Sequence, residues 1–555
     1  MTFWEYFARV VLWRPRQALA ALYWHLTRRR VRATNRLREA SAELPFAYHL
    51  WIKRVERNHD RLADRRDEMS SWTWHPRFSV VIHGERFSAA EFNRSMESIE
   101  QQLYPAWTVN DRTGKIGSGL RAAMGDFVVL LRAGDRLSQA ALFHFADALQ
   151  RDADAAILYG DQDEMDNRGR RMRPWFKPRW NEELFFAQDY LSSAIAIESS
   201  TARQSAGDGE PSLSELVLAA TALAGGRIVH VPHILCHVVG EITPDDSRIK
   251  HVARHLNRLG ATATAGPFGT VKVEWPLPAN YPLVSILVPT RDKVELLRLC
   301  IESVRARTDY NNFEILIIDN DSVEKRTLEY FREVEQDKCV RIVAYSGPFN
   351  FSAINNFAVR LARGSYVCLL NNDTEVLEPA WLSEMMRYAV RSDIGAVGAK
   401  LLYEDGSIQH AGVVVGIGNA AGHAHRFSPG NLPGYFKMPH ITQFVSAVTA
   451  ACLVVEKKKF ESVGGLDEKE LAVAFNDVDF CLKLQSLGWH NVYVPHAVLV
   501  HHESKSRGRD TAPAQIARYR RELAILQERW STTTYEDPLH NPNFDRYNER
   551  FVVRL

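Results

Sequence analysis

YVCLLNNDTEV, residues 366–376, is an apolar run that stops abruptly in Asn371, Asn372 and Asp373. It reads as a buried strand with amide and carboxylate oxygens at its C-terminal end. In an open α/β sheet that end is where ligands bind. A carboxylate with carbonyl-type neighbours there suits a hard cation, Mg²⁺ or Mn²⁺, carrying a diphosphate. The plain alternative is a strand followed by a polar turn, and the surrounding sequence weighs against it.

Upstream, strand-like and helix-like stretches alternate. SILVPT (285–290) leads to a helix over about 292–306, and EILIID (314–319) to one over about 322–335. VRIVAY (340–345) leads to a helix over about 351–363, and YVCLL follows. Such alternation predicts a parallel sheet with helices on its faces. Pro379 is expected to open a helix, and Asp405-Gly406 to form a tight hairpin. Nearer the N-terminus, SVVI (79–82), FVVLL (127–131), AAILYGDQDEMD (155–166) and RIVHVPHILCHVVG (227–240) read as strand-bearing segments, with a helix over 138–150. Residues 41–75 look like a polar helical connector, and 241–280 like a linker rich in Pro, Gly and Thr.

The two halves repeat one another. MESI (96–99) and YPAWTV (104–109) match IESV (301–304) and YNNFEIL (310–316), and GDFVVLL (125–131) matches GSYVCLL (364–370). Two copies of one α/β nucleus are therefore expected. Ser98 and Gly125 are 27 residues apart, whereas Ser303 and Gly364 are 61 apart. The first copy is short by the size of a βαβ piece. It also places Arg132, Ala133 and Gly134 where the second has Asn371, Asn372 and Asp373. An arginine opposes cation binding and Asp135 is a weak substitute, so the first copy is expected not to catalyse.

Length and composition set the limits. At 555 residues the chain should hold roughly three domains, and 46% hydrophobic residues suffice for packed cores. A net charge of +2 implies no nucleic-acid partner. The six cysteines are scattered without a CxxC, which favours a reducing, cytoplasmic setting over disulfides or zinc. No uncharged apolar stretch reaches the length of a membrane span. Residues 3–26 interleave Phe3, Trp4, Trp13, Leu19, Tyr23 and Trp24 with Arg9, Arg14 and Arg16, and Arg28, Arg29, Arg30 and Arg32 follow. Such a segment either lies in the interface of an anionic bilayer or packs on the protein's own surface.

The chemistry-bearing residues fall where a parallel sheet would gather them. Pro289-Thr290-Arg291-Asp292 follows the first strand, Asp319-Asn320-Asp321-Ser322 the second, and Asn371-Asn372-Asp373 the fourth. FNDVDFCLKLQSLGW (475–489) then places Asn476, Asp477 and Asp479 at a helix start. Asp319 can accept hydrogen bonds from a base or ribose, Asp373 can hold a metal ion, and Asp477 can take a proton from a hydroxyl. Helix capping explains Asp319 and Asp477 separately, but not the joint arrangement.

As a set, VPTRD, IIDNDS, LLNNDTEV, VGGLDE, FNDVDFCLKL and HHESKSRG resemble the family 2 inverting glycosyltransferases of GT-A fold, across about 281–510. YGDQDEMD, FKPRWN and the tail HNPNFDRY (540–547) extend the likeness to bacterial two-copy transferases of O-antigen and surface-polysaccharide assembly, often of rhamnosyl type. The resemblance implies a Rossmann-like GT-A domain in the C-terminal half, preceded by a degenerate, shortened GT-A-like copy and a helical N-terminus. The expected division is 1–75, a basic aromatic helical region; 76–240, the degenerate copy; 241–280, the linker; 281–510, the catalytic domain; and 511–555, a helix and tail. By the same resemblance Pro289, Thr290, Arg291 and Asp319 line the nucleotide pocket, with Asn371 and Asn372 beside them. Asp373 binds Mg²⁺ or Mn²⁺ with His501, for which His502 is a rival, and Asp477 is the base. Asn476 stands where the family commonly has Glu, and Lys505, Arg507 and Arg509 could close over phosphates. The implied partners are a UDP- or dTDP-sugar and a glycan or lipid-linked glycan acceptor, at the inner face of the bacterial cytoplasmic membrane.

Three other readings compete. GVVVGIGNAAG (412–422) matches a dinucleotide fingerprint, but two prolines and no helix-like stretch follow. His410, His423, His425 and His440 fit no zinc spacing and are expected to be loop histidines near substrate. TAAC (449–452) suits either the close approach of an acceptor or tight packing. A non-catalytic glycan-binding or scaffold subunit is the main functional alternative; a nucleotidyltransferase lacks its Gly-rich, lysine-bearing signature after the first strand.

Overall fold

The computed structural model describes residues 3–28, 30–42, 44–56, 62–240, 247–502 and 513–555. The basic stretch with Lys505, Arg507 and Arg509 lies outside the described residues, as does Arg29.

The first sheet is built from β1 (Phe78–His83), β2 (Trp107–Thr108), β3 (Phe127–Arg132), β4 (Arg136–Leu137), β5 (Ile157–Met165), β6 (Arg171–Trp175), β7 (Ile195–Glu198) and β8 (Ile228–Val239). Its order is β2-β1-β3-β7-β5-β8-β4, with β6 on β5. A hairpin of β9 (Thr262–Ala265) and β10 (Val271–Glu274) follows the helix Arg248–Leu256, so the expected linker carries ordered elements.

The second sheet contains β11 (Val284–Thr290), β12 (Phe313–Asp319), β13 (Val340–Ala344), β14 (Tyr366–Leu370), β15 (Thr374–Val376), β16 (Ile394–Leu402) and β17 (Ile408–His410). After the small β18 (Val413–Val415) and β19 (Ala421–His423) hairpin it is completed by β20 (Gln443–Val445), β21 (Cys452–Glu456) and β22 (His490–His501). Its order is β13-β12-β11-β14-β21-β16-β22-β15, with β17 on β16 and β20 on β22.

The repeat is visible strand by strand. Read along the sheets, β2, β1, β3, β7, β5, β8 and β4 take the places of β12, β11, β14, β21, β16, β22 and β15. The shortage in the first copy is the helix Lys325–Val334 together with β13, and its β2 is cut to two residues. The matched side chains also make the same bonds. Gly125 N–H donates to Ser79 Oγ at 2.9 Å, and Gly364 N–H to Ser285 Oγ at 2.9 Å. Tyr104 donates to the carbonyl of Pro76, and Tyr310 to that of Pro282. Ser98 Oγ accepts from Leu137 N–H and Ser303 Oγ from Val376 N–H, each at 3.1 Å. Both glycines are fixed by space, because a Cβ on Gly125 would sit 2.6 Å from the Arg77 carbonyl and one on Gly364 2.5 Å from that of Leu283. Two α/β copies, one shortened, are thus what the chain forms.

β11, β12 and β14 are runs of Val, Ile and Leu buried on both faces, as strands under covering helices must be. Asp405-Gly406 forms its turn, with Gly406 at φ +77°. Pro379 is a correction: the helix runs Trp381–Ala389 behind Ala380, so the proline precedes the cap.

The copies share a core and polar locks. Asn181 exchanges two hydrogen bonds with the backbone of Phe444, and Glu183, 1% exposed, is paired with Arg391. Asn541 of the tail donates to Asp161 and to the carbonyl of Lys177. At the N-terminus α1 (Phe3–Val10), α2 (Pro15–Leu26) and α3 (Arg30–Ala42) pack on one another, and Arg38 stacks on Tyr547 at 4.6 Å.

Candidate active site

β11 and β12 pair in register to their last residues, which sets Thr290 beside Asp319. The hydroxyl of buried Thr290 accepts from Asn372 Nδ2 at 2.9 Å, tying the end of β11 to the turn after β14. Asp319 Oδ1 accepts the N–H of Ser322 at 3.0 Å. Asp292, at φ +53°, accepts the N–H groups of Val323 and Glu324, both at 2.8 Å, and so pins the second loop to the first. Pro289 is half-buried and Arg291 exposed. The expected nucleotide residues therefore share one sheet edge.

The strand pairing also builds the corner around Asp373. β15 runs antiparallel to β22 with Thr374 opposite His501. Asp373, 4% exposed, places Oδ1 3.1 Å from His501 Nε2. His501 Nδ1 lies 2.7 Å from Gln409 Oε1, and Asn371 Nδ2 lies 3.2 Å from His501 Nε2. The carbonyl oxygen of Gln409 can only accept, so Nδ1 carries a proton and Nε2 is the ring atom that faces Asp373. An imidazole nitrogen and a carboxylate oxygen at that separation need a proton or a cation between them. This donor set would fit Mg²⁺ or Mn²⁺: one carboxylate and one imidazole oriented by an amide. Among the described residues no group of three His, Cys, Asp or Glu could hold a metal ion. His502 turns the other way, to Glu404 and Glu375.

The helix Asn476–Ser486 supplies the third group. It starts behind Phe475, held at φ +62°, and has Asp477 in its first turn. Asp477 Oδ2 accepts the N–H of Ala450 at 3.2 Å and Oδ1 that of Val478 at 2.9 Å, and the Thr449 hydroxyl is a further partner. Burial pushes the Asp477 carboxyl up from its ordinary value, against the pull of these donors. Ala451 in turn accepts the N–H of Asn371 at 3.0 Å. TAAC is thus a packing element: a buried alanine pair bridges the end of β14 to the Asp477 carboxylate. Asn476 points away, 2% exposed and bonded to Ser352.

Two sets of contacts had no sequence signal. Gln409 sits on β17, an unremarkable three-residue strand. The helix Pro513–Trp530 clamps the segment ahead of Asp477. Fully buried Glu522 accepts the N–H groups of Val473 and Ala474 at 3.2 and 3.0 Å. Arg529 reaches Asp467, Glu470 and Asp479, and Trp530 donates to Asp479.

The histidine expectation is corrected. His410 and His423 lie on strands with their Nδ1 atoms 2.9 Å apart, and His425 is buried, stacked on Phe551. His440 binds the carbonyl of Leu432. The glycine-rich 412–422 stretch is the β18–β19 hairpin, joined by a three-residue 3₁₀ turn at Ile417–Asn419 and followed by no α-helix, which removes the dinucleotide reading. In the first copy Arg132 pairs with Asp135 at 2.7 Å and with the Val239 carbonyl at 2.9 Å, filling the strand-end corner with the protein's own cation. Its helix Leu213–Ala224 starts with Leu213 and Ser214, neither of them a carboxylate.

The loops after β11 and β12, the Asp373–His501 corner and the helix carrying Asp477 are thus tied together in an α/β unit that follows a shortened copy of itself. Residues 285–444, within the second copy, match the model of Glycosyl transferase family 2. The chain is 40% identical over 460 residues to an uncharacterized protein of Sinorhizobium fredii, covering 79% of this chain and 50% of that one. It is 34% identical over 431 residues to the O-antigen biosynthesis protein RfbC of Myxococcus xanthus, covering 74% of this chain and 33% of the relative. It therefore spans half or less of the length of either. A mannosyltransferase from Pyrobaculum calidifontis, solved with GDP-Man and Mn²⁺, aligns at TM-score 0.35 and 16% identity over 48% of this chain and 70% of that one.

Proposed function

We propose that this protein is an inverting glycosyltransferase of surface-polysaccharide or O-antigen assembly. It moves a hexosyl or rhamnosyl-type sugar from a UDP- or dTDP-linked donor to a hydroxyl of a glycan or lipid-linked glycan. The observation that carries the reading is the bridge at Ala450–Ala451: the N–H of Asn371, beside the Asp373–His501 corner, donates to the Ala451 carbonyl, and the Ala450 N–H donates to the Asp477 carboxylate. The name of the Myxococcus relative supports the biological setting, and the scattered cysteines support a cytoplasmic location.

Asp319, Thr290, Pro289 and Arg291 hold the nucleoside and diphosphate, and Asn372 fixes Thr290. Asp373 and His501 would hold Mg²⁺ or Mn²⁺, which when bound neutralises charge on the departing diphosphate. Asp477 takes the proton of the acceptor hydroxyl, whose oxygen bonds the anomeric carbon as the sugar–phosphate bond breaks on the opposite face. Its raised proton affinity makes it a better base than an exposed carboxylate. Holding both reactants in line supplies much of the rate. The first copy, its corner closed by Arg132, has a non-catalytic role.

A thermal-shift panel of UDP-, dTDP- and GDP-sugars with Mn²⁺ tests this on wild type and Asp373→Ala. One nucleotide should raise the melting temperature only with metal, and the variant should lose the rise. Stabilisation by no donor favours the scaffold alternative.

A further inference from the structure

α2 packs Leu22 and Trp24 partly against the N-terminal core and leaves a second set of large apolar side chains outside. Ala18 and Ala21, the smallest, are fully buried against α1 and α3. Leu19, Tyr23 and Leu26, spaced as one helical stripe, are 60%, 63% and 73% exposed. Leu12 and Trp13, in the turn between α1 and α2, are 84% and 56% exposed, with Trp13 edge-on to Phe46, and Trp4 is exposed on α1. A helix that only needs to pack on its own protein puts its large apolar residues inward. A contiguous exposed apolar stripe marks a surface that meets something apolar.

The charge around the stripe selects the occupant. From Tyr6 to Ala42 the sequence has nine arginines and a single acid, Glu39. Arg14, Arg16 and Arg28 are exposed next to the stripe. Among the described residues no helix is long and apolar enough to cross a membrane. Aromatic and leucine side chains ringed by arginine, on a helix too polar to span, match the interface of an anionic bilayer. We propose that the α1–α2 surface docks this protein on an anionic lipid surface, with Leu12, Trp13, Leu19, Tyr23 and Leu26 entering the headgroup layer. Arg38, stacked on Tyr547, holds the three helices to the tail, so the docked surface stays fixed to the body. The inference does not depend on the transfer reading.

The test is sedimentation of the full chain with vesicles of phosphatidylcholine alone or with about one-third phosphatidylglycerol. Wild type should bind the phosphatidylglycerol vesicles. Leu19→Glu/Leu26→Glu, two exposed changes with the fold checked by circular dichroism, should lower the partition coefficient on the order of tenfold or more. Arg14→Gln/Arg16→Gln should weaken binding to the anionic vesicles and keep the fold, and it decides the matter if the first variant misfolds. Failure of wild type to bind, or binding unchanged in either variant, overturns the proposal. So does a wild-type dimer that ignores vesicles and that Leu19→Glu/Leu26→Glu dissociates, since the stripe would then meet a second copy.

Discussion

Replacing Glu522 with alanine strips the acceptor from two backbone N–H groups, those of Val473 and Ala474, four and three residues ahead of Asp477. Glu522 is fully buried, so water does not simply take its place. Each part-buried N–H left without an acceptor should cost about 1–2 kcal/mol, about 2–4 kcal/mol together. The strain lies close by, since Phe475 is held at φ +62° with Tyr519 packed on its ring at 5.4 Å. Released there, that energy should raise the open population of the 467–475 segment by about 30-fold to several hundred-fold. Two assays read it. Hydrogen exchange at 473–478 should accelerate while the global melting temperature moves little, and kcat should fall while the donor KM holds. Glu528→Ala, an exposed change on the same helix, serves as the control. Unchanged exchange and unchanged kcat in Glu522→Ala would refute the view that this helix positions the base.

Asp477→Asn should cost about 10²–10⁴-fold in kcat with little change in donor binding. Because burial raises its carboxyl, wild-type kcat should fall as pH drops, at a midpoint above the ordinary aspartate value, and the variant's residual rate should lack that limb. Gln409→Ala frees the His501 ring and should weaken Mn²⁺ binding in the presence of nucleotide by about 10–100-fold; Glu404→Ala, which touches His502, should not. Gly364→Ala drives a methyl onto the Leu283 carbonyl and should lower stability by about 1–3 kcal/mol in denaturant melts, with Gly125→Ala behaving alike in the first copy. Buried His425 is pushed down to about 3, so the folded state refuses a proton that the unfolded chain accepts below its ordinary value of 6.5. The stability it contributes is whole above that value and drains as pH falls toward about 3, by about 2 kcal/mol near pH 5. His425→Phe, which can keep the stack on Phe551, should flatten that slope in pH-dependent melts.

The sequence by itself determined the strands around 284–290, 313–319 and 366–370, the duplication, and its missing piece. Those follow from local signals: apolar runs of strand length, turn residues at their ends, and the same glycine and serine spacings in both halves. It also placed Asp319 and Asp373 at one sheet edge, because a parallel sheet fixes which ends converge. What only the tertiary structure decided depends on partners far along the chain. Asp373 meets His501 rather than His502 because β15 pairs antiparallel with β22, and a one-residue slip would turn the other ring inward. Gln409 joins that corner through the β16–β17 pairing, and Ala450 meets Asp477 across a loop. The buried histidines, read as loop residues, show the same limit, since their spacing along the chain carries nothing about which surfaces cover them. Contacts between distant segments are set by packing of the whole sheet, and no short window of sequence contains that information.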